Sequence, residues 1–169
     1  VSKRVEAVRE MRLASSKAAT RKKAETSWLF DEIKEPTSEN FIVIPVVSSE
    51  RRFYVPTGFV NNGLIPGNKL FFIDDATLYD FGVINSQFQN AWMRTVAGRL
   101  KSDYSYSNTI VYNNFVWPEA TVEQKDAIEK TAKAILDTRL NYPNKSLADL
   151  YDPDKMPADL LAAHKANDV

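Results

Sequence analysis

The sequence contains no cysteine and only one histidine, His164. The first absence excludes a disulfide framework and any zinc site built on thiolates, and the second excludes a cluster of histidine ligands. Basic and acidic residues each number 22, so no formal net charge attracts a polyanion. No apolar run approaches the roughly 20 residues that span a bilayer, and no signal peptide is evident. We therefore expect a cytoplasmic protein without a membrane partner.

The common catalytic motifs are also missing. There is no glycine-rich phosphate loop, no Gly-x-Ser-x-Gly elbow and no His-Glu-x-x-His helix. Asp74 and Asp75 are neighbours on an extended segment and point to opposite faces, which favours a turn cap over a general acid and base. His164 is predicted to be a surface residue, and Asp154-Lys155 lacks the companion acids of a nuclease site. We expect no catalytic residue and no metal site in this chain.

The charges are distributed unevenly along a chain that is otherwise globular in composition, with 44% apolar residues. Residues 1–23 contain eight bases and two acids, whereas the remainder contains 14 bases and 20 acids. Residues 1–24 are predicted to form a basic helical arm with a thin apolar stripe. The favoured interpretation is a solvated helix, and the alternative is an arm that follows phosphates. Because no initiator methionine is present, we expect a fragment of a longer protein.

Short extended runs in the central part of the chain predict a small mixed or antiparallel β domain. Residues 41–47 and 53–60 are predicted to pair as a hairpin, with Pro45 at an edge or bulge because proline cannot donate to a ladder. Gly, Asn and Pro mark further turns between short strands. The expected strands are 70–73 and 77–79, and the expected turns are 61–63 and 66–68.

One packed helix is predicted between Ser86, its N-cap, and Gly98, its C-terminal stop. Its apolar residues recur at helical spacing and are expected to face the core. These residues are Phe88, Ala91, Trp92, Thr95 and Val96.

Residues 99–112 alternate in character and are predicted to form one strand. Successive side chains of a strand point to opposite faces. One face would carry Lys101, Asp103, Ser105 and Ser107, and the other Ser102, Tyr104 and Tyr106.

Lys101 and Asp103 have the chemistry to read one G·C base pair. Lysine donates to the O6 and N7 acceptors of guanine, and aspartate accepts from the N4 amino group of cytosine. The alternative is an exposed ion pair worth about 0–1 kcal/mol, and spacing alone favours that alternative.

Residues 119–169 carry the signals of successive helices. A capping box at Thr121 opens the first, whose face would carry Ile128, Ala132, Ile135 and Leu140. A second capping pattern at 146–149 and Pro157 begin two more helices. The predicted fold is therefore α+β, with a domain at 1–118 that includes the basic arm, followed by an all-helical unit at 119–169, expected to be truncated.

Several ordered runs of the sequence resemble one known family. They are Ser48-Ser49-Glu50-Arg51-Arg52-Phe53-Tyr54-Val55-Pro56, Leu78-Tyr79-Asp80-Phe81-Gly82-Val83, Ala91-Trp92-Met93-Arg94, the run from Gly98 to Ser107, the run from Ile110 to Pro118, and, toward the end, Ala134-Ile135-Leu136-Asp137, the run from Ser146 to Pro153, and Met156-Pro157. The chain is similar to the target recognition domain and C-terminal domain of MmeI-like type II restriction-modification enzymes. In that family an endonuclease and an adenine-specific, S-adenosylmethionine-dependent DNA methyltransferase share one bacterial polypeptide with this region.

The resemblance implies sequence-specific binding of double-stranded DNA, with S-adenosylmethionine and Mg²⁺ bound by other domains of the parent protein. The chain lacks the Asn-Pro-Pro-Tyr motif of adenine methyltransferases, so catalysis is expected elsewhere, and the methyltransferase domain is an expected partner. The residues implied to read bases are Lys101, Asp103, Ser105, Lys69 and Asn68. Those implied to bind the DNA backbone or support the reading strand are Arg51, Arg52, Arg94 and Arg99.

Two other functions compete with this interpretation. In a protein–protein module, the helical end would bind a partner through Ile128, Ile135 and Leu140, without direct DNA contact. Such binding would be insensitive to salt, whereas DNA binding weakens steeply with ionic strength. A free-standing enzyme would need activity without the missing motifs.

Overall fold

The computed structural model describes residues 1–30, 35–61 and 63–168, and the chain divides into two units, Val1–Glu35 and Pro36–Val169. The first unit contains α1 (Ser2–Leu13), α2 (Ala18–Lys22) and a 3-10 turn (Lys23–Thr26). The predicted single helix over 1–24 is therefore wrong. The break follows Leu13, where the Ser15 hydroxyl accepts from the Lys17 amide at 3.2 Å and competes with helical hydrogen bonding.

Arg12 closes this first unit on itself. Its guanidinium donates to the carbonyl oxygens of Lys23, Thr26 and Leu29 at 2.7–3.0 Å. A side chain from the end of α1 thus bonds to three carbonyl groups of the turns that follow it.

Two small antiparallel sheets form the centre of the second unit, which confirms the α+β class. The first sheet has the order β3-β1-β4, from β1 (Asn40–Pro45), β3 (Gly58–Asn61) and β4 (Leu70–Asp74). The second has the order β2-β6-β5, from β2 (Val47–Ser48), β5 (Gly98–Leu100) and β6 (Asp103–Ser105). The predicted pairing of the first two extended runs is confirmed, although β3 begins only at Gly58.

The chain passes from the first sheet to the second at Val46. Pro45 is the last residue of β1, where a residue without an N–H group does least harm to the ladder. The Val46 amide donates to the Lys69 carbonyl at 3.0 Å, and the Val46 carbonyl accepts from the Tyr106 amide at 2.8 Å. One residue therefore connects the loop before β4 to the end of β6.

A turn and a strand predicted in this region have different outcomes. The turn at 61–63 includes Asn62, which lies outside the described residues, while Gly63 has a φ of +104°. The predicted strand at 77–79 is wrong, because α3 (Leu78–Ile84) begins there. Thr77 accepts from the Asp80 amide at 3.2 Å, and the Asp80 carboxylate accepts from the Thr77 amide at 2.8 Å. This capping box starts a helix.

The next helix, α4 (Gln87–Val96), begins at the predicted Ser86 cap but buries a different face. Gln89, Asn90 and Met93 are buried, while Phe88 is 66% exposed. Asn90 accepts from the Val55 amide at 3.1 Å, so a polar side chain is satisfied inside the core. The predicted apolar face is therefore wrong, although Trp92 and Val96 pack at its margin.

Three further helices complete the second unit, namely α5 (Val122–Leu140), α6 (Leu147–Leu150) and α7 (Ala158–Asn167). The predicted capping boxes at Thr121 and Ser146 are both present. These helices share one compact unit with the sheets, and the predicted domain boundary after residue 118 stays a prediction. No helix in the described ranges combines the length and apolar character needed to cross a bilayer.

His164 is buried, so its predicted surface position is wrong. Its Nε2 lies 2.6 Å from the hydroxyl of Tyr151, which also accepts from Arg139, and its ring stacks on Tyr54 with centroids 4.2 Å apart. Burial first, and then the charge of Arg139, lower the pKa of His164 to about 3. The imidazole is therefore a neutral part of the core, at the point where α7 meets α5 and the loop before β3.

Candidate nucleic-acid interface

Residues 99–112 form a hairpin and a short helix, so the predicted single strand is wrong. β5 and β6 pair with Leu100 opposite Asp103 and Gly98 opposite Ser105, which leaves Lys101-Ser102 as a two-residue turn. A π-helix (Asn108–Tyr112) follows, and the Ser107 hydroxyl accepts from the Ile110 amide at its start. The turn residues Lys101 and Ser102 are polar like much of the surrounding run, so a period-two pattern does not reveal the turn.

Lys101 lies at the tip of this hairpin in an unusual backbone conformation. Its φ is +57°, a left-handed value that L-residues other than glycine, asparagine and aspartate rarely adopt. The side chain is exposed and has no ionic or hydrogen-bonding partner among the described residues. Non-glycine residues held in this region cost of order 1 kcal/mol and cluster at functional sites. The tip therefore holds a lysine where the backbone alone would favour glycine.

Asp103 and Ser105 lie on one face of β6, as predicted, because Tyr104 between them is buried on the other side. The same face carries Leu100, directly opposite Asp103 and 58% exposed, and Gly98, directly opposite Ser105. The structure thus brings Asp103 and Ser105 together on one surface, and it places Lys101 at the turn beside them rather than on the strand.

Asn68 and Lys69 belong to the exposed loop that precedes β4. Their side chains have no partner within the described part of the chain. The Lys69 carbonyl is bonded to Val46, and Val46 is bonded to Tyr106, the residue after Ser105. The structure therefore brings the loop of Asn68 and Lys69 next to the strand of Asp103 and Ser105. We call the following five residues the reading surface: Asn68, Lys69, Lys101, Asp103 and Ser105.

The arms of the hairpin rest on a packed base. Burial raises the pKa of Tyr106, whose hydroxyl accepts from the Gln89 amide at 3.2 Å. Phe71 packs against the Tyr106 ring with centroids 6.3 Å apart. The indole of Trp92 donates to the Val111 carbonyl at 2.9 Å. The reading surface therefore stands on side chains that fix the backbone beneath it.

Two of the four predicted arginines support this arrangement. The Arg99 guanidinium lies 3.9 Å from the centroid of the Tyr104 ring and donates to Glu50 and to the Ser102 carbonyl, at 3.1 and 2.8 Å. Arg94 donates to the carbonyl oxygens of Arg52 and Phe53 at 2.7 and 2.9 Å. Arg99 therefore stabilises the turn of the hairpin, and Arg94 connects the loop after β2 to α4 through hydrogen bonds.

The other two arginines are more open. Arg51 forms an exposed ion pair with Asp154 at 2.8 Å, which links the loop after β2 to the connection between α6 and α7. Arg52 is half-buried and its guanidinium has no partner within the described ranges. Asp154 thus serves as the counter-ion of Arg51.

Sequence reasoning missed Glu50 and Leu100. Glu50 holds Arg99 across 49 residues of chain, and no local pattern reports such a pair. Leu100 was missed because a single strand would place it on the face opposite to that of Lys101 and Asp103. In the hairpin, Leu100 pairs with Asp103 and shares its face. An exposed leucine between charged residues was the available signal.

The acidic residue Asp74 has structural partners. Asp74 accepts from the amide and hydroxyl of Thr37 and from the amide of Ser38, and these bonds lower its pKa to about 2. It therefore caps the segment just before β1, which lies 37 residues away in sequence. Across the described residues, no group of three or more His, Asp or Glu side chains is placed to hold a metal ion.

Comparison with known proteins covers the whole chain. Residues 1–119 match the family model of the MmeI target recognition domain, and residues 120–169 match that of the MmeI C-terminal domain. The chain is 39% identical over 168 residues to DNA methyltransferase A of Bacillus subtilis (strain 168), covering 99% of this chain and 19% of that protein.

A solved structure is also similar. It is the type IIL restriction-modification enzyme MmeI in complex with DNA, with 45% sequence identity and a TM-score of 0.90, covering 99% of this chain and 22% of that one. The chain thus spans about a fifth of the length of each relative. On these matches, the chain belongs to the MmeI family, with a target recognition domain followed by a C-terminal domain.

Proposed function

We propose that this chain is the sequence-specific, double-stranded DNA recognition part of a longer restriction-modification enzyme. It would direct adenine methylation and cleavage that other domains of the same polypeptide carry out. The methyltransferase domain would bind S-adenosylmethionine, the endonuclease would use Mg²⁺, and the enzyme would act in the bacterial cytoplasm.

The observation that carries this proposal is the hairpin tip. Lys101 lies in the two-residue turn and Asp103 directly follows that turn, both lack partners among the described residues, and Lys101 is held at a φ of +57°. A donor and an acceptor side by side on a narrow β-ribbon have the chemistry to read both halves of a G·C pair in the major groove, which admits a two-stranded ribbon.

The remaining residues have supporting roles. Lys69, Asn68 and Ser105 would read a second position, because the Val46 bridge brings their two segments together. Arg94 and Arg99 would hold the reading surface in place, since their guanidinium groups bond within the chain. Arg51 and Arg52 would contact phosphates, which fix the orientation on the duplex without reading its sequence.

The test exchanges the two tip residues in the full-length enzyme, by Lys101→Asp with Asp103→Lys. Donor and acceptor then change places, and the preferred base at one position of the methylated motif should change. A good base contact is worth about 1–3 kcal/mol of discrimination. Single-molecule sequencing of methylated genomic DNA from expressing cells would report the motif.

The chain offers a matched control in Lys133 and Asp137. They form an exposed ion pair at 2.6 Å on α5, and exchanging them preserves both the net charge and the pair. That variant should methylate the original motif. If the Lys101 and Asp103 exchange also left the motif unchanged while methylation continued, the assignment of the readers would be wrong.

The competing protein–protein module receives little support from the fold. Ile135, a central residue of its predicted docking face, is fully buried within the second unit. Leu140 is 76% exposed, but it lies at the end of α5. An unbroken apolar face for a partner is therefore not present on this helix.

A further inference from the structure

The five glycines of the chain differ in whether packing or backbone conformation requires a residue without a side chain. A Cβ at Gly82 would lie 2.5 Å from Ile128 Cγ2, and one at Gly58 would lie 2.8 Å from Val43 Cγ2. Packing therefore requires both. Gly63 has a φ of +104°, so its backbone conformation requires it.

Gly98 and Gly67 meet neither requirement. A Cβ built on either would meet no atom of the described chain within 4 Å, and neither has a left-handed φ. Gly98 is nevertheless a strand residue, and glycine weakens a strand because it loses more backbone entropy and packs no side chain. Neither a close contact nor a left-handed φ within the described chain requires glycine at these two positions.

Both glycines adjoin the reading surface. Gly98 lies directly opposite Ser105, on the face that carries Asp103. Gly67 immediately precedes Asn68 and Lys69, and its carbonyl accepts from the Leu70 amide at 3.0 Å. β5 is also the outer strand of its sheet, so its free edge presents backbone N–H groups to whatever approaches.

We propose that Gly98, and with it Gly67, are clearance residues, at which the sugar-phosphate wall of the DNA groove approaches the protein backbone. This inference rests on the proposed function. A strand glycine often marks a bulge, a bend or a site where a ligand or another backbone approaches closely, and phosphate oxygens accept readily from backbone N–H groups. Contact with the wall would position the hairpin without reading bases.

The experiment adds side chains at these positions in the full-length enzyme, as Gly98→Ala, Gly98→Val and Gly67→Ala. Wild-type enzyme first selects its preferred duplex from a random-sequence library. Binding of each variant to that duplex is then measured by fluorescence anisotropy, and its stability by thermal unfolding.

Affinity should fall in the order wild type, Gly98→Ala, Gly98→Val, with a loss of about tenfold for valine, equivalent to about 1.4 kcal/mol. The midpoint of unfolding should stay the same or rise, since β-branched residues favour strands. The preferred sequence should not change. Asn61→Val is the matched control, because it puts the same side chain at an exposed position of β3, in the other sheet, and should bind like wild type.

Three results would overturn the inference. If Gly98→Val folded and bound as tightly as wild type, the inference alone would fail and the proposed function would stand. If the Gly98 variants unfolded at a markedly lower temperature, the glycine would serve the fold instead. If wild-type enzyme selected no duplex, the proposed function and the inference would fail together.

Discussion

The hairpin tip and the core around His164 are both rich in polar side chains, but the two regions differ in whether those side chains have hydrogen-bonding partners. In the core, Tyr151 bonds to His164 and to Arg139, and Arg139 also donates to the Thr57 carbonyl at 2.9 Å. At the tip, Lys101 and Asp103 have no partner among the described residues. Most polar side-chain atoms of the core are therefore paired internally, although His164 Nδ1 has no partner among the described residues, whereas the charged groups of the tip are left open.

This difference separates polar residues that hold the fold from those available to a ligand. A buried polar group without a partner costs about 1–3 kcal/mol, which favours pairing of polar groups in the core. An exposed group is hydrated and carries no such requirement, so it can exchange water for a base edge. The partners of a side chain therefore report more about its role than its charge does.

The largest expected effect tests the core, through its response to acid. The pKa of His164 is about 3 in the fold and 6.5 ordinarily, so the unfolded chain takes up the proton first. The stabilisation is complete above pH 6.5 and is lost progressively as the pH falls toward 3. Between about pH 7 and pH 4, wild type should lose roughly 3 kcal/mol more stability than His164→Gln.

Urea denaturation of both proteins across this pH range would measure the difference. Glutamine is a suitable comparison because its amide stays neutral and can still accept a hydrogen bond from Tyr151. If the unfolding free energies of the two proteins changed in parallel with pH, His164 would not be held neutral in the fold. The core and the tip would then not differ in the way described for their polar side chains.

A smaller effect of the opposite sign is expected at the tip. Lys101→Gly removes the Cβ from a left-handed residue and should stabilise the chain by about 0.5–1 kcal/mol. It should also abolish base preference at one position of the methylated motif. Denaturation midpoints and motif sequencing would measure the two effects.

Ser102→Gly is the control for this change, because Ser102 shares the turn but has no left-handed φ. It should bring no gain in stability. If Lys101→Gly destabilised the chain or kept the full motif, the tip would not be the strained reading element described above.

The smallest effect on stability is expected for Arg51→Ala. Its ion pair with Asp154 is exposed, with side chains 65% and 69% accessible, so the unfolding free energy should change by less than about 0.5 kcal/mol. If Arg51 contacts a phosphate, the slope of log affinity against log salt should become shallower by about 0.9. A salt titration of duplex binding measures that slope, and an unchanged slope would assign Arg51 to the ion pair alone.

Elements with a local chemical signal were predicted well from the sequence. The capping boxes at Thr121 and Ser146 and the Ser86 cap are all present, because each depends on residues a few positions apart. The Thr77 box carried the same signal but was read as extended structure, so the error there was one of interpretation.

Features that depend on distant partners could not be predicted. α4 buries Gln89, and the Tyr106 hydroxyl, 17 residues later, accepts its amide hydrogen. The spacing of apolar residues along the helix predicts that glutamine faces solvent. His164 is buried because Tyr151 and Tyr54 pack on it from two other segments, and Arg139 in turn packs on Tyr151. For the reading surface, residue types and the shared face of Asp103 and Ser105 were predictable, whereas the turn at Lys101 was not.

The two-residue turn between β5 and β6 also limits how this surface can diversify. Side chains alternate along β6, so an extra turn residue that shifted the pairing register of β6 by one would turn Asp103 and Ser105 inward and expose Tyr104 to solvent. Substitutions at the tip leave that alternation intact, whereas a change in loop length that shifted the register would reverse which residues of β6 face solvent. New specificities in this lineage should therefore arise by exchange of residues at constant spacing, and an alignment of hairpins without gaps would be their signature.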